Sequence, residues 1–227
     1  MTPKVKKNIL IYVHGFNPGE PMYKSTIVGI APYFYGRFAT GAYLALEKEG
    51  RLVVFDSANG EGPMAKLTIE NSINELVKFN AFKGLTEKQI RDRLVVEIIQ
   101  SPFPFKPKNT TQEAEALVEM VKQTGGAAYY EDIYVISSIE HIQRVTKEML
   151  IACFAANEPE IATRMRFVPA LTPYTPTTKE ELGEDTQTQT KKTLAILRNL
   201  VILEPRGALA NRDKKVGDFL PKSNSEA

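Results

Sequence analysis

Four short stretches of the chain, residues 8–13, 52–55, 94–99 and 133–137, are apolar at nearly every position rather than at alternate ones. A strand with that pattern is covered on both faces, as in a parallel sheet sandwiched between helices. A fifth stretch, 166–169, carries the same signal more weakly. Between these runs the apolar period lengthens to that of helices. Residues 26–48 are interrupted at Pro32 and then run through Ala39, Ala42, Leu44, Ala45 and Leu46 to Gly50, a helix stop. Further helices are expected over 70–79, 86–93, 109–124 (ending at Gly125-Gly126), 140–156 (ending before Pro159) and 188–203 (ending before Pro205). Strands alternating with helices predict an α/β, Rossmann-like, doubly wound and mainly parallel sheet of about five strands with helices on both faces. Residues 1–204 parse as a single domain with 188–203 as its C-terminal helix. The Thr-, Pro- and Glu-rich stretch 172–189 reads as a surface loop, and 205–227 as a polar, flexible tail.

Composition narrows the class of protein. The 227 residues carry a formal charge of +2 with no concentrated basic face, which gives no footing for nucleic-acid binding. The single cysteine, Cys153, excludes an intrachain disulfide and lies in an apolar helical run, so it reads as a packed thiol. The N-terminal apolar run is too short for a signal sequence and lacks a small-residue cleavage site, and no stretch reaches the length of a membrane span. A cytoplasmic protein without membrane association is expected.

In a doubly wound sheet, ligands bind beyond the carboxyl ends of the strands. The segments found there are HGFNPGEP (14–21), DSANGEGP (56–63), SPFPFKPKNTTQEAE (101–115) and SSIEHIQR (137–144). They nominate His14, Gly15 and Asn17 after the first strand, and Asp56, Asn59 and Gly60 after the second. After the third come Asn109, Thr110 and Glu113, and after the fourth Ser137, Ser138, His141 and Arg144. Ser137 or Ser138 reads as a helix cap, with His141 on the first turn and Arg144 one turn on along the same face. Asn109 or Thr110 reads as the cap of the preceding helix, with Glu113 in its dipole-favoured first turn. A helix start, a guanidinium and an imidazole together suit an anion and a proton exchange near neutral pH. The simpler reading is an ordinary capped helix with a polar side.

Asn109-Thr110 with Ala114, followed by a strand running into Ser138, His141 and Arg144, resembles the YdcF/SanA/ElyC family of domains of unknown function. In that family an N-T-x-E-N-A segment precedes a strand ending T-S-x-x-H-x-x-R-A. Here Gln112-Glu113 stands where Glu-Asn is usual, Ser137 replaces Thr and Val145 replaces Ala. Arg37, in GRFATGAYLALEKEG, is similar to the arginine of the family's first helix. The resemblance covers about 8–169. It implies a Rossmann-like fold with a pocket at the strand ends and adds Arg37 to the ligand contacts. It also brings S-adenosylmethionine into view as a cofactor, since a family member has been associated with it; other members serve envelope functions through membrane anchors.

The expected function is binding of a small anionic ligand, phosphate-bearing or nucleotide-like, and its hydrolysis or group transfer with His141 as acid/base. Arg144, Arg37 and the helix starts at Asn109-Thr110 and Ser138 would hold the anion, and Asp56 or Glu113 would orient the imidazole or a water. One alternative is a non-catalytic sensor for a nucleotide-like ligand such as S-adenosylmethionine, although no glycine-rich loop follows the first strand. A second is an α/β-hydrolase-like esterase, suggested by His14-Gly15 but lacking the G-x-S-x-G elbow. A P-loop is absent, and two histidines without metal-ligand spacing point to no metal site.

Overall fold

The computed structural model describes residues 8–16, 23–32, 34–139 and 141–170. The expected surface loop, C-terminal helix and tail lie outside the described residues, and so does Asn17. In chain order the elements are β1 (Ile9–Val13), α1 (Tyr23–Ile27), β2 (Gly29–Ile30), β3 (Phe34–Tyr35), α2 (Arg37–Lys48) and β4 (Arg51–Phe55). There follow α3 (Glu61–Asn71), α4 (Ile73–Leu76), a 3-10 turn (Asn80–Phe82), α5 (Glu87–Arg93) and β5 (Val96–Ile99). The last described part comprises α6 (Thr110–Gln123), α7 (Gly126–Tyr129), β6 (Asp132–Ser138), α8 (Ile142–Ala155), α9 (Pro159–Arg164) and β7 (Met165–Ala170).

Five of the strands form one sheet, ordered β5-β4-β1-β6-β7, and every neighbouring pair is parallel. The fold is therefore the α/β, Rossmann-like architecture that the apolar runs imply. Strands β2 and β3 make a separate two-residue antiparallel ribbon. Strand order reverses between β1 and β6: the chain builds outward from β1 to β4 and β5, then crosses back and continues on the other side. In doubly wound sheets generally, such a reversal is where ligands bind.

The central strand shows why both faces must be covered. Ile9, Ile11 and Val13 of β1 enter a core with Phe38, Ala39 and Ala42 of α2 and with Ala65 and Ile69 of α3. Leu10 and Tyr12 point the other way, into a core with Ala114, Leu117 and Val121 of α6 and with Val145 and Met149 of α8. The period of two along the strand thus divides one apolar run between two layers. Cys153 is buried in the second core, and burial pushes its thiol up to about 11.

Three local expectations are corrected. First, the serines do not cap α8. Pairing of β6 with β7 continues through Ser137 opposite Pro169 and Ser138 opposite Ala170, so both serines are strand residues. His141 occupies the cap position without a side-chain cap bond, its N–H donating to Ser138 O at 2.9 Å. Second, the helix after β4 begins at Glu61, not at residue 70. Gly60 turns the chain with φ 71°, and Gly62 lets the new helix lie against the strand end, where a Cβ would stand 2.4 Å from Phe55 O. Third, the interruption at Pro32 is a small β-ribbon between two helices. By contrast Asn109 caps α6 as expected, its side chain accepting the Gln112 N–H at 3.0 Å.

Ile11 is fully buried in the middle of the central strand. Ile11→Ala is expected to cost about 2–5 kcal/mol, measured as a lower urea midpoint with an unchanged slope.

Candidate functional site

The reversal point places the ends of β1 and β6 side by side, joined by the His14 N–H donating to Ile136 O at 2.9 Å. What binds the two ends together beyond the ladder is Arg37, at the start of α2 and only 3% exposed. Its Nε donates to Ser138 Oγ at 2.7 Å, and its NH1 donates to the carbonyls of His14 (3.1 Å) and Gly15. The Phe16 ring lies 5.1 Å from the guanidinium carbon, within cation–π range. Arg37 was expected to hold a ligand; three of its hydrogen bonds go to the protein's own strand ends.

Glu113, 4% exposed on α6, reaches the same place. Its Oε2 accepts the Tyr12 hydroxyl and, at 3.4 Å, the Gly15 N–H. The same oxygen stands 3.6 Å from His14 Nε2, beyond hydrogen-bond reach. Glu61, at the start of α3, approaches from the other side. A Cβ placed on Gly15 would fall 1.9 Å from Glu61 Oε2 and 3.2 Å from Glu113 Oε1, so two carboxyls face the bare α-carbon of one glycine. That close approach, rather than an unusual backbone angle, is what residue 15 requires of glycine.

The two histidines meet here. The imidazole of His14, 5% exposed, and that of His141 lie with ring centroids 5.1 Å apart. Nδ1 of His14 is 3.0 Å from Gly15 O, and a carbonyl only accepts, so Nδ1 carries the proton and Nε2 the lone pair. His14 Nε2 and the fully buried Ser137 Oγ have no hydrogen-bond partner among the described residues. His141 Nε2 lies 3.3 Å from Thr110 Oγ1, and the Arg144 NH2 group approaches both ring nitrogens, at 3.0 and 3.1 Å.

Burial sets the protonation states. It lowers His14 to about 3, with the Arg37 charge adding to the effect. It lowers His141 well below the ordinary histidine value, helped by His14, Arg37 and Arg144. Both rings are therefore neutral at physiological pH beside guanidinium groups that are always charged. Burial raises Glu113, against the Tyr12 hydroxyl, the Gly15 N–H and Arg37; it also raises Glu61, and there the Glu113 charge adds to it. Tyr12 is held well above its ordinary value by burial and by Glu113.

Of the residues nominated from the sequence, His14, Gly15, Arg37, Thr110, Glu113, Ser138, His141 and Arg144 are joined in this cluster through the contacts just described. Others are placed differently. Asp56 pairs with Lys106, its Oδ2 2.7 Å from the Lys106 Nζ, rather than with an imidazole. Asn109 is exposed and occupied by its capping bond. Asn59 is exposed, hydrogen-bonds the Glu61 carboxyl, and with Gly60 forms the turn into α3. The sequence nominated neither Tyr12 nor Glu61. Tyr12 looks like one more aromatic in a strand. Glu61 was hidden in a stretch that reads as a turn, although Pro63 in the first helical turn is a helix-start signal. Among the described residues no three His, Cys, Asp or Glu side chains are grouped so as to hold a metal ion, and no helix is long and apolar enough to cross a membrane.

Arg37→Met leaves two carbonyls and a hydroxyl without their donor in a buried place. A loss of about 1–3 kcal/mol for each acceptor is expected, read by chemical denaturation. Acid sensitivity gives a second prediction. Between the unfolded value near 6.5 and the folded value of about 3, the unfolded chain holds a proton on His14 that the folded chain excludes, so this residue's contribution falls as pH drops. The slope is about 1.4 kcal/mol per pH unit. Glu61 and Glu113, raised in the fold, act in the opposite sense, binding a proton that the unfolded chain releases. Urea midpoints between pH 6.5 and 5 are therefore compared with those of His14→Asn, whose stability is expected to decline less on acidification than the parent's.

No protein-family model, no curated protein and no solved structure matches the chain.

Proposed function

We propose that the chain is a YdcF-like α/β protein that binds a small phosphate-bearing or nucleotide-like ligand at the β1/β6 reversal and hydrolyses it or transfers its phosphoryl group. One observation carries this reading: the reversal point gathers two arginines and two neutral histidines where α6 and α8 begin. Arg144 and the first turns of α6 and α8 offer charge and N–H groups to an anion. Thr110 and Arg144 hold His141 between those two helix starts. An arriving dianion adds negative charge beside the imidazole. It draws the His141 value upward, so the ring takes up a proton as the ligand binds. His141 then gives that proton to a leaving oxygen and recovers one from water, a role worth about 10²–10⁴ in rate.

A serine-esterase mechanism finds less support. The Ser138 hydroxyl is fully buried and accepts the Arg37 Nε proton, and no sharp nucleophile turn carries it.

Calorimetric titration with inorganic phosphate and with a nucleoside monophosphate, in buffers of different ionisation heat, tests the proposal. Binding is expected to take up protons and to tighten as pH falls from 8 toward 6. Arg144→Ala is expected to weaken it by about tenfold, or about 1.4 kcal/mol. His141→Ala is expected to keep the fold while losing about 10²–10⁴ of any turnover of phosphate esters. A His141→Ala protein that unfolds, together with a parent that binds none of these anions, makes His141 a structural residue and removes the reading.

A further inference from the structure

We infer that His14 is the nucleophile of this site and that the phosphoryl group passes through a covalent bond to its Nε2. The inference rests on the anion-site reading above and adds to it a second catalytic residue and a reaction course.

The geometry separates the two histidines. His141 is engaged at both ring nitrogens, by Arg144 and by Thr110. His14 is not: Nδ1 is tied to Gly15 O, while Nε2 is buried, carries the lone pair and lacks a hydrogen-bond partner among the described residues. A buried polar atom without a protein partner is uncommon, which singles out Nε2 along with the Ser137 Oγ, likewise unpartnered among the described residues. The nearest carboxyl oxygen, Glu113 Oε2 at 3.6 Å, is too far to consume the lone pair. The ring is also held in place through its backbone. Arg37 binds the carbonyls of both His14 and Gly15, and the His14 N–H is part of the β1–β6 ladder. A fixed tautomer on a fixed backbone, with a second imidazole at a ring-centroid distance of 5.1 Å and the charges of Arg37 and Arg144 acting on the ring, suits attack on a phosphate ester.

The steps balance without a further reactant. The Nε2 lone pair forms a bond to phosphorus of a phosphate monoester, and the bond from phosphorus to the ester oxygen breaks. The departing oxygen keeps that electron pair and takes the proton that His141 acquired on ligand binding, leaving as an alcohol. Water then attacks phosphorus and gives a proton to His141. The N–P bond breaks, its pair returns to Nε2, and phosphate leaves. The sum is ester plus water to alcohol plus phosphate.

The whole chain is mixed with p-nitrophenyl phosphate, quenched rapidly into alkali, and examined by intact-mass and peptide mass spectrometry. The expected result is one phosphoryl group on the peptide containing His14, stable in alkali and lost in acid, as an N–P bond is. His14→Gln is expected to carry no label. His141→Gln is expected to retain the label longer than the parent, because nitrophenolate leaves without an acid whereas water still needs a base. The acid lability of the label in the unaltered protein reads the same chemistry should His14→Gln fail to fold. Stoichiometric release of nitrophenol with no label, or a label mapped elsewhere, overturns the covalent course while leaving anion binding intact. If calorimetry finds no binding of phosphate and no ester turns over, the anion site itself is lost and this inference with it.

Discussion

The buried guanidinium of Arg37 is the contact on which the site depends. A charged group this deep is costly unless its donors are met, and here they are met by two carbonyls at the end of β1 and a hydroxyl at the end of β6. Those ends belong to strands whose sequence neighbours leave in opposite directions across the sheet, so no short loop can join them. One side chain from the first turn of α2 does so instead. The position of His14 beside His141, and of Gly15 between two carboxyls, follows from that anchoring.

Charge at the site is arranged by burial more than by pairing. Two imidazoles are kept neutral next to two arginines, and two carboxyls are pushed toward the protonated form around one glycine. Burial thus opposes ionisation of the histidines and carboxyls of the cluster alike. In the proposed function, an anion bound there would raise the histidine values and so link ligand uptake to proton uptake.

Much of the fold was legible because parallel strands advertise themselves by unbroken apolar runs; each of the five strands falls within about two residues of its expected span. The reversal between β1 and β6 brought the first and fourth strand-end segments together, and with them His14, Ser138, His141 and Arg144. What escaped notice depended on distant partners. Ser137 and Ser138 resemble a cap in isolation, and only pairing with the weakest strand, β7, keeps them extended. Glu61 looks like part of a turn until Gly62 is seen to lie against the end of β4. Arg37 is near His14 in space through packing of α2 on β1, which sequence spacing does not encode. The tautomer of His14 depends on a carbonyl one residue away, and no pattern of residue types reports it.

Cys153, the chain's one cysteine, sits wholly inside the layer formed by α6 and α8, with its thiol held protonated up to about 11. In the closed protein this sulfur is shielded from alkylating reagents, so its modification rate measures how often that layer opens. The same seclusion leaves the surface clear for a dye on an introduced cysteine near α8, so the two helix starts can be watched by fluorescence without background from the native thiol.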